Sequence, residues 1–215
     1  MPLSDRDYMK PQQPPPRQRI WTGGTGGFLQ NPVYIIIIIN LIIWIGSFVN
    51  SDKLLYYFGL IPSIFTEHPW MIVTNMFVHV SFWHIFGNMI TLFFFGGVIY
   101  RLLGAKWFLL LYFVAGIAGN GVYLWLGDPY SVAIGASGAI YGIAGALVVM
   151  MPNMRVALWG ILPMPLWAFV AIFLVLWSIP YFIPGIGWQA HLGGLVVGLI
   201  AGFYFRRSRR YIYFT

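Results

Sequence analysis

Gly135-Ala136-Ser137-Gly138-Ala139-Ile140-Tyr141-Gly142 is the stretch on which the reading of this chain turns. Two hydrophobic segments later comes its counterpart, Ala190-His191-Leu192-Gly193-Gly194. A hydroxyl and an imidazole are both expensive to place in hydrocarbon, and together they are the parts of a nucleophile and its base. Their pairing points to hydrolytic chemistry inside a bilayer.

Outward from these two stretches the chain is apolar throughout. Its residues are 60% hydrophobic and 8% charged, with a mean hydropathy of +0.78, far from an average soluble domain. This is the composition of an integral membrane protein. Its 215 residues give room for one compact all-α bundle with short tails. The sequence contains no cysteine, which excludes disulfides, thiol catalysis and cysteine-bound zinc.

Apolar segments at about 32–49, 82–100, 107–126, 133–151, 165–182 and 188–205 read as six transmembrane helices. Pro32 suits a helix start, the Ile35 to Ile39 run supplies lipid-facing bulk, and Asn50-Ser51-Asp52-Lys53 closes the first span. Residues 54–80 are too apolar for a free loop and too broken for a span. Their Trp and Tyr content predicts an interfacial first loop docked on the bundle. Residues 1–31 are rich in proline and glycine and read as a flexible tail, without the apolar core of a secretory signal. The expected organisation is therefore a tail at 1–31, a six-span domain at 32–205 and a basic tail at 206–215.

Charge placement gives this bundle a direction. With six spans, Arg6, Lys10, Arg17, Arg19, Arg101, Lys106, Arg155, Arg206, Arg207, Arg209 and Arg210 all fall on the side of the termini. Lys53 alone falls opposite. The positive-inside rule then puts both termini in the cytoplasm and Asp52, Glu67 and Asp128 outside. The net charge of +7 is thus a topology signal, scattered along membrane-flanking positions, and not a nucleic-acid-binding face.

That topology gathers the unusual polar residues. Spans two, four and six run from outside to inside, and each carries its polar residues near its start: His84 and Asn88, then Ser137, then His191. At about 1.5 Å of rise per residue, Ser137 lies on the order of 9 Å below Ser131, shallow enough for water yet within the bilayer. His84 and Asn88 are four apart and share a helical face; Tyr141 is one turn below Ser137. A serine hydroxyl needs a base to take its proton, for which His191 is the candidate. The oxyanion needs fixed donors, for which His84, Asn88 and the Ser137 backbone N–H are candidates. No acidic residue lies in the expected spans, so a dyad fits better than a triad.

These motifs resemble those of the rhomboid intramembrane serine proteases. The family's His-x4-His-x3-Asn pattern stands here as His79, His84 and Asn88, its Gly-x-Ser-Gly as Gly135 to Gly138, and its Ala-His-x-x-Gly as Ala190 to Gly194. They occur in the family's order, and the resemblance extends over 32–205, the minimal six-span form found in bacteria and archaea. It implies a serine endopeptidase in which Ser137 is the nucleophile, His191 the base, and His84 and Asn88 oxyanion donors. Tyr141 then supports the histidine ring and His79 the first loop. No cofactor and no metal are implied; the partners are membrane lipids and single-span transmembrane substrates, cut near the outer face. Phe169, Phe173 and Trp177 on span five are candidates for a lateral substrate gate. The setting expected is a cell membrane, multi-pass, with the site opening outward. Two positions depart from the pattern: Met71 stands where many relatives carry arginine, and Tyr100 where many carry glutamate.

Other readings account for parts of the pattern. The glycines at 135, 138, 142 and 145, and at 194, 198 and 202, suit close helix packing without catalysis. His68, His79, His84 and His191 are a conceivable zinc set, but His79 and His84 are five apart and share no face, and no carboxylate joins them. A small transporter is expected to show inverted repeats or helices broken at the midplane. A non-catalytic rhomboid-like protein that binds membrane proteins is the remaining alternative.

Overall fold

The computed structural model describes residues 30–158, 161–178 and 187–208, without the side chains of Leu158 and of 174–178. Most of both expected tails and the Trp177 side chain lie outside what is described.

The helix boundaries follow local chemistry. Helix α1 (Pro32–Ser47) starts with proline at its first position and with the Asn31 side chain accepting from the Val33 N–H at 3.0 Å. Asn50 does more than close the first apolar segment. Its side chain accepts from the Lys53 N–H at 2.9 Å and starts α2 (Ser51–Phe58). The connection beyond is folded: a 3-10 turn at Pro62–Ile64, α3 (Met71–Thr74) and a second turn at Asn75–Phe77. Trp70 donates from Nε1 to the Tyr57 carbonyl at 2.9 Å, and Thr74 from Oγ1 to the Phe58 carbonyl at 3.0 Å, which ties α3 to the end of α2.

After α4 (Phe82–Thr91) a π turn at Leu92–Gly96 leads without a break into α5 (Gly97–Leu103). Gly104, at φ 82°, turns the chain into α6 (Ala105–Leu126). Then come α7 (Ser137–Met150), α8 (Leu166–Ser178) and α9 (Trp188–Ser208). Between α7 and α8 lies a small exception to an all-α architecture, an antiparallel hairpin of β1 (Arg155–Leu158) and β2 (Leu162–Pro165). Pro163 and Pro165 have no N–H to continue a helix, whereas an edge strand accommodates them.

Among the described residues, three helical stretches are long and apolar enough to cross a membrane: Phe82–Leu103, Ala105–Leu126 and Trp188–Ser208. Helices α1 and α7 are apolar but shorter, with 16 and 14 residues. Large side chains such as Ile42, Ile45, Trp125, Ile200 and Phe203 are exposed around the outside, the pattern expected where lipid is the solvent.

Helix α7 is the centre of the bundle, buried along nearly its whole length. Its closest neighbour is α9, and glycine makes the approach possible. A Cβ on Gly194 would overlap the Gly138 carbonyl, and one on Gly198 the Gly142 carbonyl. The two helices therefore touch backbone to backbone, as small residues at four-residue spacing allow in membranes.

The sequence reading carried the fourth span back to residue 133, but the helix begins at Ser137. Ala133 is instead paired with Leu60 by two backbone hydrogen bonds of 2.9 Å, and Gly135 has φ 106°. Extended pairing and a left-handed residue both interrupt a helix. A depth for Ser137 obtained from helical rise after Ser131 does not apply.

Candidate active site

The start of α7 and the first turn of α9 meet at Ser137 and His191. Gly194, one turn beyond His191, packs on Gly138, the neighbour of Ser137, so the backbone contact fixes how near the two side chains come. Ser137 Oγ and His191 Nε2 are 2.8 Å apart, within hydrogen-bond reach. Tyr141 stacks on the His191 ring, with centroids 4.6 Å apart and planes inclined by 24°. His191 and Tyr141 are buried, while Ser137 is half-buried.

The turn ahead of Ser137 is held by the first loop. The Gly135 N–H donates to the Asn75 carbonyl at 2.8 Å, and the Ala136 N–H to His79 Nε2 at 3.4 Å. His79 is fully buried. Burial, reinforced by the neighbouring His84, pushes its pKa down from 6.5 to about 3. A neutral ring keeps the lone pair that the Ala136 N–H requires. Beyond these occupied amides, the Ser137 N–H has no acceptor among the described residues, as befits the first residue of a helix.

His84 and Asn88 approach from α4. The Ser81 side chain caps that helix by accepting from the His84 N–H at 3.3 Å. The His84 ring lies 4.8 Å from that of His79, centroid to centroid, and its Nε2 stands 2.6 Å from where a Cβ on Gly135 would be. Glycine at 135 is thus required twice, by its positive φ and by the imidazole that occupies the space. Asn88 is buried and donates from Nδ2 to the His84 carbonyl at 2.8 Å, which leaves a second Nδ2 hydrogen.

The residues singled out from sequence fall into two groups. Ser137 and Tyr141 both meet His191, and His79, His84 and Gly135 form an adjoining cluster at the turn. The span-five aromatics form a separate contact: Phe169 lies 4.4 Å from Phe173 and meets Phe95 of the π turn edge-on at 6.2 Å. Met71 is fully buried, in a cluster with Leu60, Tyr123, Ala133 and Ala190. An apolar side chain therefore anchors the loop at position 71. Tyr100 packs half-buried against the main core.

Sequence reasoning missed Asn75 and Asn120, whose buried amides pair between the first loop and α6. The available signal was a lone asparagine in the apolar segment 107–126, since a polar side chain within a span needs a partner.

Comparison with known proteins bears on the family. Residues 66–208 match the family model for the Rhomboid domain. The chain is similar to "Rhomboid protein 1, mitochondrial" of Saccharomyces cerevisiae, with 30% identity over 199 residues, 83% of this chain and 54% of that protein. It is 34% identical over 145 residues to "Putative rhomboid protease YdcA" of Bacillus subtilis, covering 66% of this chain and 71% of that one. With "Rhomboid protease GlpG" of Haemophilus influenzae it shares 32% over 142 residues, covering 66% and 72%. It spans about half the length of the yeast relative. The matched region contains the serine, the histidines and the glycine seam that brings them together, and the chain belongs to the rhomboid family.

Proposed function

We propose that this protein is an intramembrane serine endopeptidase working through a Ser137–His191 dyad. The observation that carries the reading is the 2.8 Å approach of Ser137 Oγ to His191 Nε2 at the start of a buried helix. In this reading His191 is neutral, with its proton on Nδ1, so that Nε2 takes the hydroxyl proton as Oγ attacks the peptide carbonyl. The oxyanion is met by the Ser137 N–H, by His84 and by the free hydrogen of Asn88 Nδ2. Collapse breaks the C–N bond, and His191 returns the proton to the leaving amine. Water then attacks the acyl ester on Ser137, giving a proton to His191; the C–Oγ bond breaks as His191 returns that proton to Ser137 Oγ, which releases the carboxylic acid product. Tyr141 holds the imidazole by stacking, and no acidic group, cofactor or metal takes part.

The proposed substrates are single-span transmembrane proteins, cut near the outer face, where a helix unwinds more readily and frees its carbonyls. Phe169, Phe173 and Trp177 are proposed to line a lateral entrance; smaller residues at 169 and 173 are expected to speed cleavage. Domain limits of 1–31, 32–205 and 206–215, six spans, both termini cytoplasmic and a cell-membrane location are proposed from hydropathy and charge. The absence of native cysteine makes the topology directly testable. An impermeant maleimide applied to intact cells should label Lys53→Cys and not Arg207→Cys; the reverse pattern would invert the orientation.

The reaction is tested by treating purified protein with a fluorophosphonate probe while following cleavage of a model transmembrane substrate. Wild type should react in both assays, and Ser137→Ala and His191→Ala in neither, with losses on the order of 10⁴-fold or more. A folded wild type inert in both assays overturns the proposal in favour of non-catalytic binding.

A further inference from the structure

The turn that carries the Ser137 N–H is connected to α6 through two asparagines. Asn75 closes α3 and opens the following 3-10 turn, and Asn120 lies on α6; they are 2% and 4% exposed. Their amides form a reciprocal pair: Asn75 Nδ2 donates to Asn120 Oδ1 at 3.1 Å, and Asn120 Nδ2 to Asn75 Oδ1 at 2.7 Å. The second hydrogen of Asn120 Nδ2 goes to the Ile72 carbonyl at 2.7 Å. That carbonyl also fixes which way round the Asn120 amide sits, since the flipped amide would set oxygen against oxygen. One side chain on a long helix thereby grips the loop at two points, Ile72 and Asn75.

The grip continues along the backbone. The Asn75 carbonyl accepts the Gly135 N–H at 2.8 Å as well as the Val78 N–H at 3.2 Å. Gly135 has no side chain to steady it and occupies a left-handed conformation, so its orientation depends on what its N–H meets. Two residues on is Ser137, whose N–H direction follows from that of the turn. An amide pair buried from water also holds its geometry more firmly than an exposed one, because a broken bond leaves unpaired polar groups in apolar surroundings.

We propose that the Asn75–Asn120 amide pair is a positioning device for the reaction: it fixes the Gly135–Ser137 turn so that the Ser137 N–H faces the developing oxyanion. Neither asparagine touches the reacting atoms; both act through Gly135. The catalytic consequence rests on the proteolytic reading given above, while the fixing of the turn does not.

The test compares wild type with Asn120→Ala and, as a milder variant that keeps a hydroxyl should alanine fail to fold, Asn120→Ser. Asn40→Ala is the control. Asn40 is equally buried but bonds the Ile36 carbonyl within α1 and meets Tyr112, eight residues before Asn120 on α6, so its loss should lower the melting temperature and leave kcat per folded molecule alone. Two readouts are taken well below melting: hydrogen exchange of the 133–137 amides, and kcat, KM and the pH profile of cleavage of a model transmembrane substrate. The Asn120 variants should exchange at least tenfold faster at 133–137. Their kcat should fall at least tenfold, with KM within twofold and the midpoint of the pH profile unmoved, because the base is intact. Behaviour like that of Asn40→Ala, or faster exchange with unchanged kcat, overturns the proposal. A wild type without protease activity would sink the proteolytic reading instead, and exchange at 133–137 would then decide alone whether Asn120 fixes the turn.

Discussion

Ser137 and His191 meet where two helices touch backbone to backbone, whereas His84 and Asn88 come from a helix joined to the same centre through loop hydrogen bonds. On the first side there is little to adjust. Gly194 and Gly198 abut carbonyls of α7, and no side chain lies between the helices there to repack. On the second side, Asn75, His79 and Leu60 each hold one or two amides of the segment 133–136. Such hydrogen bonds contribute on the order of 1 kcal/mol each and tolerate small shifts. The distance between Ser137 and His191 is therefore a packing property, and the placing of His84 and the Ser137 N–H a property of the polar loop.

This contrast is broken most severely at the seam. Gly198→Val is expected to drive α9 off α7, two turns from His191, destabilising the protein by more than about 3 kcal/mol. Thermal melting should report a fall of roughly 10 °C, with cleavage abolished. Gly121→Ala, on the open side of α6 where a methyl group meets nothing within 4 Å, should stay within about 0.5 kcal/mol of wild type. Equal effects of the two substitutions would mean that glycine packing does not set the dyad.

Gly135→Ala probes the other side. The new methyl group would sit 2.6 Å from His84 Nε2, on a residue at φ 106°. The imidazole has to move, and the loss of one aligned donor typically lowers kcat by about 10²–10³-fold. Melting should fall by less than for Gly198→Val, because the displaced group is a side chain and not a helix. A variant that unfolds before it slows would put the two sides of the site on the same footing.

The buried histidine of the loop gives that side a pH dependence of its own. His79 has a pKa near 6.5 when unfolded and about 3 when folded, so between these values the unfolded chain binds the extra proton. Its contribution to stability is complete above about pH 6.5 and is lost as the pH falls towards 3, by up to about 1.4 kcal/mol per pH unit. At about pH 5 wild type should be less stable than at pH 8 by about 2 kcal/mol from this residue. His79→Gln, whose carbonyl can accept the Ala136 N–H, should flatten that part of the curve. Parallel stability curves for the two proteins would show that His79 does not remain neutral in the fold.

Much of this architecture was legible because membrane chemistry limits what a residue can mean. Ser137, His191, His84 and Asn88 stood out in apolar segments, and the glycine spacing on α7 and α9 announced a close packing that the structure supplies at Gly138, Gly142, Gly194 and Gly198. Hydropathy also placed the long helices to within a few residues. It failed at 133–136, where Ala133 pairs with Leu60 and Gly135 is left-handed in place of the first turn of a helix; composition does not distinguish the two. The Asn75–Asn120 pair was hidden for another reason. Its members are 45 residues apart, and nothing local in either segment names the other.

Tyr141 marks the limit of the packing side and carries the smallest expected effect. Its ring stacks on His191, while its hydroxyl is buried without a partner among the described residues. If stacking is what matters, Tyr141→Phe keeps the contact, removes an unsatisfied polar group and should change kcat by no more than about twofold, with stability equal or slightly higher. Tyr141→Leu removes the flat surface and should lower kcat by roughly fivefold, the scale of about 1 kcal/mol that an aromatic pair contributes. A phenylalanine variant as slow as the leucine one would assign the work to the hydroxyl, and the imidazole would then be held by a polar contact formed only with substrate bound.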